Sequence, residues 1–272
     1  LSIMVYYIIE NEYVIKEQIH RKSSFFYSKL VDLYIFLDKC EYIDDTQIKI
    51  ILVFLRTNFV AFLQTTPSFK ISNRFINIFL GKILISFDKL TGVVRNIHNI
   101  QHNQLADNEN PDIHSLKPLL EKYKQCFNTM MEFLTSVVKT QPEVCLGEGI
   151  KEKFTSLINY IVYELVGTTS KSLKISISSL KFKVLTIMFN IFEILHTYRN
   201  NNVFKYSIIE DSRFYNSSYI DKFMTILLHK QKILVSEYNN IKLLLDKIDK
   251  FKLKLDKLEE YDIPEKYCDP IM

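Results

Sequence analysis

Two histidines four residues apart form the pattern in this sequence that most resembles a metal site. His98 and His102 lie in a segment of helical periodicity, so both imidazoles would share one helix face, as paired zinc ligands do. A third ligand is missing nearby, and Asn99 stands where the zinc-protease pattern requires Glu. We therefore predict no metal and interpret the pair as part of a polar helix surface.

The other residues able to do chemistry are scattered along the chain. Among the five glycines, none has the spacing of a phosphate-binding loop, and Gly147 and Gly149 alone are a weak signal. No arrangement of Ser, His and Asp predicts a nucleophile with its base. We predict neither a catalytic residue nor a cofactor. The cysteines form no Cys-x-x-Cys pair, which predicts reduced, unpaired thiols in an intracellular protein, at Cys40, Cys126, Cys145 and Cys268.

Charge and hydropathy exclude two further classes. The 35 basic and 31 acidic residues leave a net charge of +4, too weak a field to indicate a nucleic-acid partner. Near Lys250 the lysines alternate with acidic residues, which indicates a solvated, ion-paired face. The longest uncharged run, from Thr57 to Phe69, contains Pro67 and is shorter than the roughly 20 residues of a membrane-spanning helix. We predict no membrane span.

Apolar residues recur at spacings of three and four over most of the chain, and this predicts helices. Gly167 is placed to cap one of them, and Gly81 and Gly92 would let another bend or approach a neighbour closely. The segment Leu180–Tyr198 is apolar on nearly every side, which indicates a core helix. The predicted helical segments are 25–37, 46–64, 72–106, 116–139, 150–167, 180–198 and 238–261.

The connections and the last helix leave some alternatives open. The polar segment 106–112 fits a domain boundary as well as an ordinary helix connection, and 168–179 is predicted to be an extended connector. The last helix fits a coiled-coil dimer or packing on the rest of the domain, and we favour packing. Its heptad seam is Ile241, Leu244, Ile248, Phe251, Leu255 and Leu258. Successive helices without strands predict an all-α, elongated helical-repeat stack of the armadillo-like or solenoid kind.

The closing stretch resembles the opening of a U-box, the zinc-free relative of the RING domain in ubiquitin ligases. The residues that carry the likeness are Ile263, Pro264, Glu265, Lys266 and Tyr267, followed by Asp269, Pro270, Ile271 and Met272. Cys268 departs from the usual Leu. The chain begins at Leu1, and we interpret it as a piece of a longer protein that continues past Met272.

Other segments resemble one U-box family, the ubiquitin conjugation factors of the chain-elongation (E-four) type with an Ufd-type helical core. The matching pieces follow the family order along the whole chain. Departures are Thr168 where the family has Pro, Ser23-Ser24 where it has Asn-Pro, and Phe214 where it has Ser. The matching residues are Lys29-Leu30-Val31-Asp32, Ile97-His98-Asn99-Ile100-Gln101, Ile158-Asn159-Tyr160 with Leu165 and Gly167, and Asp211 with Arg213 and Tyr215.

This resemblance implies a ubiquitin-protein transferase that extends chains on modified substrates for proteasomal degradation, in cytoplasm and nucleus. The implied partners are a charged ubiquitin-conjugating enzyme, ubiquitin, ubiquitinated substrates and an AAA ATPase segregase. Residues 1–260 would form the helical core, and 261–272 the start of a U-box in which Ile271 and Met272 contact the conjugating enzyme. We expect residues 1–272 alone to bind that enzyme poorly and to transfer nothing. The alternative is a non-catalytic helical-repeat scaffold that binds partners along its surface.

Overall fold

The computed structural model describes residues 70–103, 111–173, 184–211 and 213–259, with Val31 and several helical residues between Val53 and Gln64. In these ranges the backbone forms helices and turns but no strand, which confirms the predicted all-α stack. The repeat character and the division at residue 260 stay predictions. The α-helices are α1 (Asn73–Asn103), α2 (Pro111–Thr140), α3 (Lys151–Val166), α4 (Val184–Thr197), α5 (Asn202–Glu210), α6 (Ser217–His229) and α7 (Val235–Glu259).

Helices α1 and α2 pack along an aromatic seam. From Phe75 to Ile97, the apolar side chains of α1 that recur at spacings of three and four are buried, because residues at these spacings share a helix face. Phe133 of α2 meets Phe75 and Phe79 of α1 edge-on, with ring centroids 6.1 and 5.5 Å apart. Further along, Phe87 and Phe127 lie 5.0 Å apart. Aromatic pairs in such geometries add about 0.5–1.5 kcal/mol each beyond the area they bury, so this seam fixes the two helices together.

Helix α3 lies at the centre of the described stack and packs against α1, α4, α5 and α6. Most of its side chains are buried, including the polar Asn159, whose amide donates a 2.7 Å hydrogen bond to the Ile208 carbonyl of α5. The helix ends as predicted at Gly167, whose N–H donates to the Tyr163 carbonyl at 2.8 Å. Because α3 contacts four other helices, it fixes the positions of the surfaces that those helices expose.

Helices α4 and α7 confirm two predictions about packing. Helix α4, from the segment predicted to be core, contacts α2, α3, α6 and α7, although Phe189 remains partly exposed on its outer side. Helix α7 buries Ile241, Leu244 and Ile248 against this chain's own α4, α5 and α6. These three seam residues are covered within the chain, which supports the packing alternative, whereas nothing is described of the side chains of Leu255 and Leu258.

Three details of the structure differ from what the sequence suggested. The start of the predicted extended connector is a 3-10 helix, Thr168–Leu173, which packs on α1 and α3; residues 174–183 lie outside the described ranges. Helix α2 begins at Pro111 and contains Pro118, because one lost backbone hydrogen bond is outweighed by the packing of its apolar face. Among the described residues, no neighbouring side chain or other helix lies within 4 Å of a Cβ built on Gly81 or Gly92, so of the two predicted roles, bend or close approach, the close approach is not seen there.

None of the helices in the described residues combines the length and apolar character that crossing a bilayer requires.

Candidate partner-binding groove

A groove of about 660 Å³ opens between α1, α3 and the segment that connects α5 to α6. Its floor is apolar: Leu80 and Leu157 are buried, and Leu84 is 39% exposed toward the opening. Gly81 lies among these leucines, and the space where its side chain would be is empty. The missing side chain deepens the groove, so an apolar group from outside could reach the leucines.

Two side-chain hydrogen bonds join α1 and α3 along the groove. Lys153 Nζ donates to Asn77 Oδ1 at 2.6 Å, and the Tyr160 hydroxyl donates to Asp88 Oδ1 at 2.8 Å. The partners follow each other in the same order on both helices, so α1 and α3 run in the same general direction along the groove. With a rise of 1.5 Å per residue, the distance from Asn77 to Asp88 is about 16 Å.

One wall of the groove is aromatic. Phe214 packs on Tyr160 and Tyr163 of α3, with ring centroids 5.0 and 5.6 Å apart. The guanidinium of Arg213 lies 5.4 Å from the centroid of the Phe214 ring, within the range of a cation–π contact. This arrangement holds a charged group at the mouth of an apolar groove.

The backbone beneath this wall is anchored by Asp211. Its carboxylate accepts a 2.8 Å hydrogen bond from the Ser156 hydroxyl of α3 and lies 3.6 Å from Nε of Arg213. The side chain of Asp211 is only 8% exposed, whereas that of Arg213 is 76% exposed. A largely buried carboxylate therefore fixes the segment and leaves most of the guanidinium in solvent.

The polar groups of the groove form hydrogen bonds and ion pairs between its walls. Burial raises the pKa of the Tyr160 phenol above its ordinary value, and the hydrogen bond to Asp88 raises it further. The phenol stays protonated at neutral pH and acts as a hydrogen-bond donor. Beyond Tyr160, Glu164 of α3 forms an ion pair with Arg95 of α1. These groups fix the walls, and the leucines supply the contact surface.

A second depression of about 440 Å³ lies beside α2 and α4. Arg56 pairs there with Glu132, and Lys139 pairs with Glu193. Because the opposite charges neutralise each other, this surface offers less to a ligand than the groove does.

The residues considered from the sequence as a possible site fall into two groups. His98 and His102 lie on α1 with ring centroids 4.3 Å apart, and no group of three or more metal-binding side chains occurs within the described ranges. The U-box residues lie outside those ranges, and so their predicted roles stay predictions; they are Ile263, Pro264, Asp269, Pro270, Ile271 and Met272.

The tertiary structure brings together residues from segments that resemble the family. Tyr160 and Phe214, from two of these segments, are in contact, and Asp211 bonds to Ser156 one turn before Tyr160. Sequence reasoning missed the groove itself, because Asp88 and Asn77 come from a helix about seventy residues earlier in the chain. The signal available in the sequence was Phe214, an aromatic residue next to Arg213 in a segment that resembles the family.

The described residues form an all-helical stack with an apolar groove on its surface. The family model described as ubiquitin elongating factor core matches residues 26–249. Because this match covers most of the chain, the protein belongs to the ubiquitin elongating factor core family. The family resemblance drawn from the sequence is confirmed, and it places the chain in the ubiquitin pathway. The comparison with curated proteins found no match.

Proposed function

We propose that this protein is the helical core of a ubiquitin chain-elongating transferase that acts through a U-box beginning near Ile263. The observation that carries the proposal is the family match over residues 26–249, which spans the described helices up to α7. The pairs Ile263-Pro264 and Asp269-Pro270 support it, because they resemble the start of a U-box directly after this core.

In this proposal the ubiquitin-conjugating enzyme supplies the reactive group. Its cysteine carries ubiquitin as a thioester, and a lysine amine of the growing chain attacks the thioester carbonyl. The new amide C–N bond forms, the C–S bond breaks, and the cysteine thiol is released. The transferase contributes by holding both reactants close and oriented, which can lower a barrier without any covalent step of its own. The packed stack around α3 provides a rigid support for that task.

The proposed contact to the conjugating enzyme is Ile271, with Met272 beside it. An exposed apolar side chain at the centre of an interface is a common anchor for binding. The other proposed partners are ubiquitinated substrates bound for the proteasome and an AAA ATPase segregase, in cytoplasm and nucleus.

A chain-elongation assay with the full-length protein tests this proposal. The reaction contains ubiquitin-activating enzyme, a conjugating enzyme, ubiquitin and a substrate fused to one ubiquitin. We expect longer chains than without the protein, and a loss of about tenfold in rate for Ile271→Arg, since a buried charge replaces the anchor. The matched control is Leu253→Arg on α7, because Leu253 is an exposed leucine already in solvent.

Two outcomes would contradict the proposal. Absence of elongation with several conjugating enzymes would favour the non-catalytic scaffold instead. Elongation that Ile271→Arg and Leu253→Arg reduce equally would remove Ile271 from the contact.

A further inference from the structure

We propose that the turn between α6 and α7, residues 230–236, docks into a partner protein whose surface combines an apolar pocket with a rim of carboxylates. This turn lies outside the groove and outside the U-box residues, and it would bind its partner with or without the transferase activity proposed above. The observations that carry the proposal are an exposed apolar pair, a fixed backbone and an excess of positive charge.

The apolar pair is Leu234 and Val235, which are the most exposed large apolar side chains of the described residues, at 67% and 63%. The two are adjacent in the chain, whereas Leu253 of α7 stands between two lysines. Ile233, directly before the pair, is buried and attaches the turn to the core. Two apolar side chains that project together from a turn are suited to enter a pocket on another protein.

The backbone of the turn is held at both ends. Where α6 ends, the Gln231 N–H donates to the Leu228 carbonyl at 2.9 Å. Where α7 begins, the carboxylate of Glu237 accepts from the Leu234 N–H at 2.7 Å. A turn fixed in this way loses little conformational freedom when a partner binds, so the apolar pair is already arranged for contact.

Two residues of the turn do not suit its backbone. Gln231 has φ 52°, a left-handed conformation in which helix ends usually have glycine or asparagine. Leu234 is the N-cap of α7, because its carbonyl accepts the first helical hydrogen bond, from the Tyr238 N–H at 3.0 Å. The N-cap position favours Ser, Thr, Asp or Asn. Because Leu234 neither caps the helix with its side chain nor is buried, contact with a partner accounts for it where stability does not.

The cations of the turn have no carboxylate partner. Lys230 and Lys232 are exposed, and among the described residues neither forms an ion pair. His229, which precedes them, is exposed as well. The acidic residue nearest to them in the sequence is Glu237, and its carboxylate already accepts from the Leu234 N–H.

The neighbouring helices do not supply the missing negative charge. On α4, α6 and residues 235–245 of α7, each acidic residue is matched by a cation: Glu193 by Lys139, Glu237 by Arg199 around His196, and Asp221 by Lys222. The next carboxylate along α7 is Asp246, and about 16 Å of helix separates it from Val235. Lys230 and Lys232 therefore leave a local excess of positive charge.

An acidic, concave protein surface fits this turn better than the other possible occupants. Stable attachment to an anionic membrane takes lipid chains or a cluster of about four to eight basic residues, and the turn has two lysines. A second copy of the chain would bring like charges together, and these repel. A partner with carboxylates around an apolar pocket pairs with both lysines while it covers the leucine and the valine.

The test begins with a random peptide library displayed on phage and selected on the full-length protein, in which peptides stand in for the partner. We expect the enriched peptides to combine acidic residues with aliphatic or aromatic ones. Synthetic fluorescent copies, measured by polarisation, should bind more weakly as salt is added, because ion pairs are screened. Enriched peptides without acidic residues, affinity independent of salt, or no enrichment over an empty support would overturn the proposal.

Leu234→Ser separates binding from folding. Serine is a preferred N-cap residue, so thermal unfolding followed by circular dichroism should occur at the same or a higher temperature, while affinity for the selected peptides falls at least about tenfold. The control is Leu253→Ser, which removes an equally exposed leucine of the same helix and should leave the affinity unchanged. Equal affinities of Leu234→Ser and the parent protein would show that Leu234 is no contact.

A pair of charge variants tests the lysines. Lys230→Glu combined with Lys232→Glu should weaken the peptides at least about tenfold, whereas Lys250→Glu combined with Lys254→Glu, at exposed positions further along α7, should not. Equal effects of the two double variants would refute docking at the turn.

Two further measurements address the other occupants. The parent protein is pelleted with phosphatidylserine vesicles and, separately, sedimented alone at increasing concentration. We expect neither vesicle binding nor dimerisation that depends on Leu234. If Leu234→Ser abolishes either one, a membrane or a second copy occupies the turn and the proposal fails.

Discussion

Replacing Gly167 with alanine tests the close packing at the end of α3. Gly167 has φ −74°, so its backbone does not require glycine for a left-handed conformation. The requirement is space: a Cβ at this position would lie 2.4 Å from the Tyr163 carbonyl oxygen and 3.1 Å from Cδ2 of the same residue. The obstructing oxygen belongs to the backbone and accepts the Gly167 N–H, so it cannot move aside without weakening that hydrogen bond.

The expected magnitude follows from these contacts. Overpacking costs about 1–3 kcal/mol, and weakening the hydrogen bond to Tyr163 adds up to about 1 kcal/mol. The lower entropy of the unfolded alanine chain offsets about 0.4–1 kcal/mol. The Ser170 hydroxyl donates to the Gly167 carbonyl at 2.7 Å and resists displacement from the other side. We expect a net loss of roughly 1–3 kcal/mol in the free energy of unfolding.

Gly92→Ala is the matched control, because the same substitution there has the opposite sign. Gly92 lies inside α1 with open space around its Cβ position, so alanine should gain about 0.5–1 kcal/mol from helix propensity. Urea unfolding followed by far-ultraviolet circular dichroism measures both variants. Equal midpoints for Gly167→Ala and the parent protein, or a loss in Gly92→Ala, would refute the packing argument.

Two further predictions concern buried polar groups. Arg95→Met removes the guanidinium that pairs with Glu164, whose side chain is only 6% exposed. The free energy of unfolding, measured with urea, should fall by roughly 2–3 kcal/mol. This is less than for a fully buried pair, because Arg95 itself is 33% exposed. Adding Glu164→Leu should recover most of this loss, and a double variant no more stable than Arg95→Met would contradict the buried-charge reasoning. Burial raises the pKa of the Cys145 thiol to about 12, so at about pH 8 iodoacetamide should leave it unmodified in the folded protein and label it in urea, by peptide mass spectrometry. Labelling of folded Cys145 as fast as in urea would show that the thiol is not enclosed.

The helical elements were predictable because their packing follows a local pattern. The apolar residues of α1 and α7 recur at spacings of three and four, and this pattern predicts the faces that the two helices bury. The 3-10 helix at Thr168–Leu173 could not be predicted, because its polar, β-branched sequence has no helical period. Packing on α1 and α3 holds it in place. Within the described ranges, Cys126 and Cys145 form no disulfide.

The groove could not be read from the sequence, since its residues have ordinary roles when considered alone. Phe214 is one departure from a family pattern, Gly81 a helical glycine and Asp88 a surface carboxylate. They become one site because α1 and α3 lie side by side, and because Asp211, bonded to Ser156, holds the next segment against them.

The sequence by itself determined the all-α class, the faces of the helices that enter the core, and membership of the ubiquitin elongating factor core family. Each of these follows from residue types at short, regular spacings or in a fixed order along the chain. Only the tertiary structure decided which exposed residues share a surface. Contacts between helices, such as the hydrogen bond from Tyr160 to Asp88, join residues far apart in the sequence. Local periodicity predicts a helix and its buried face but not which distant helix lies against it.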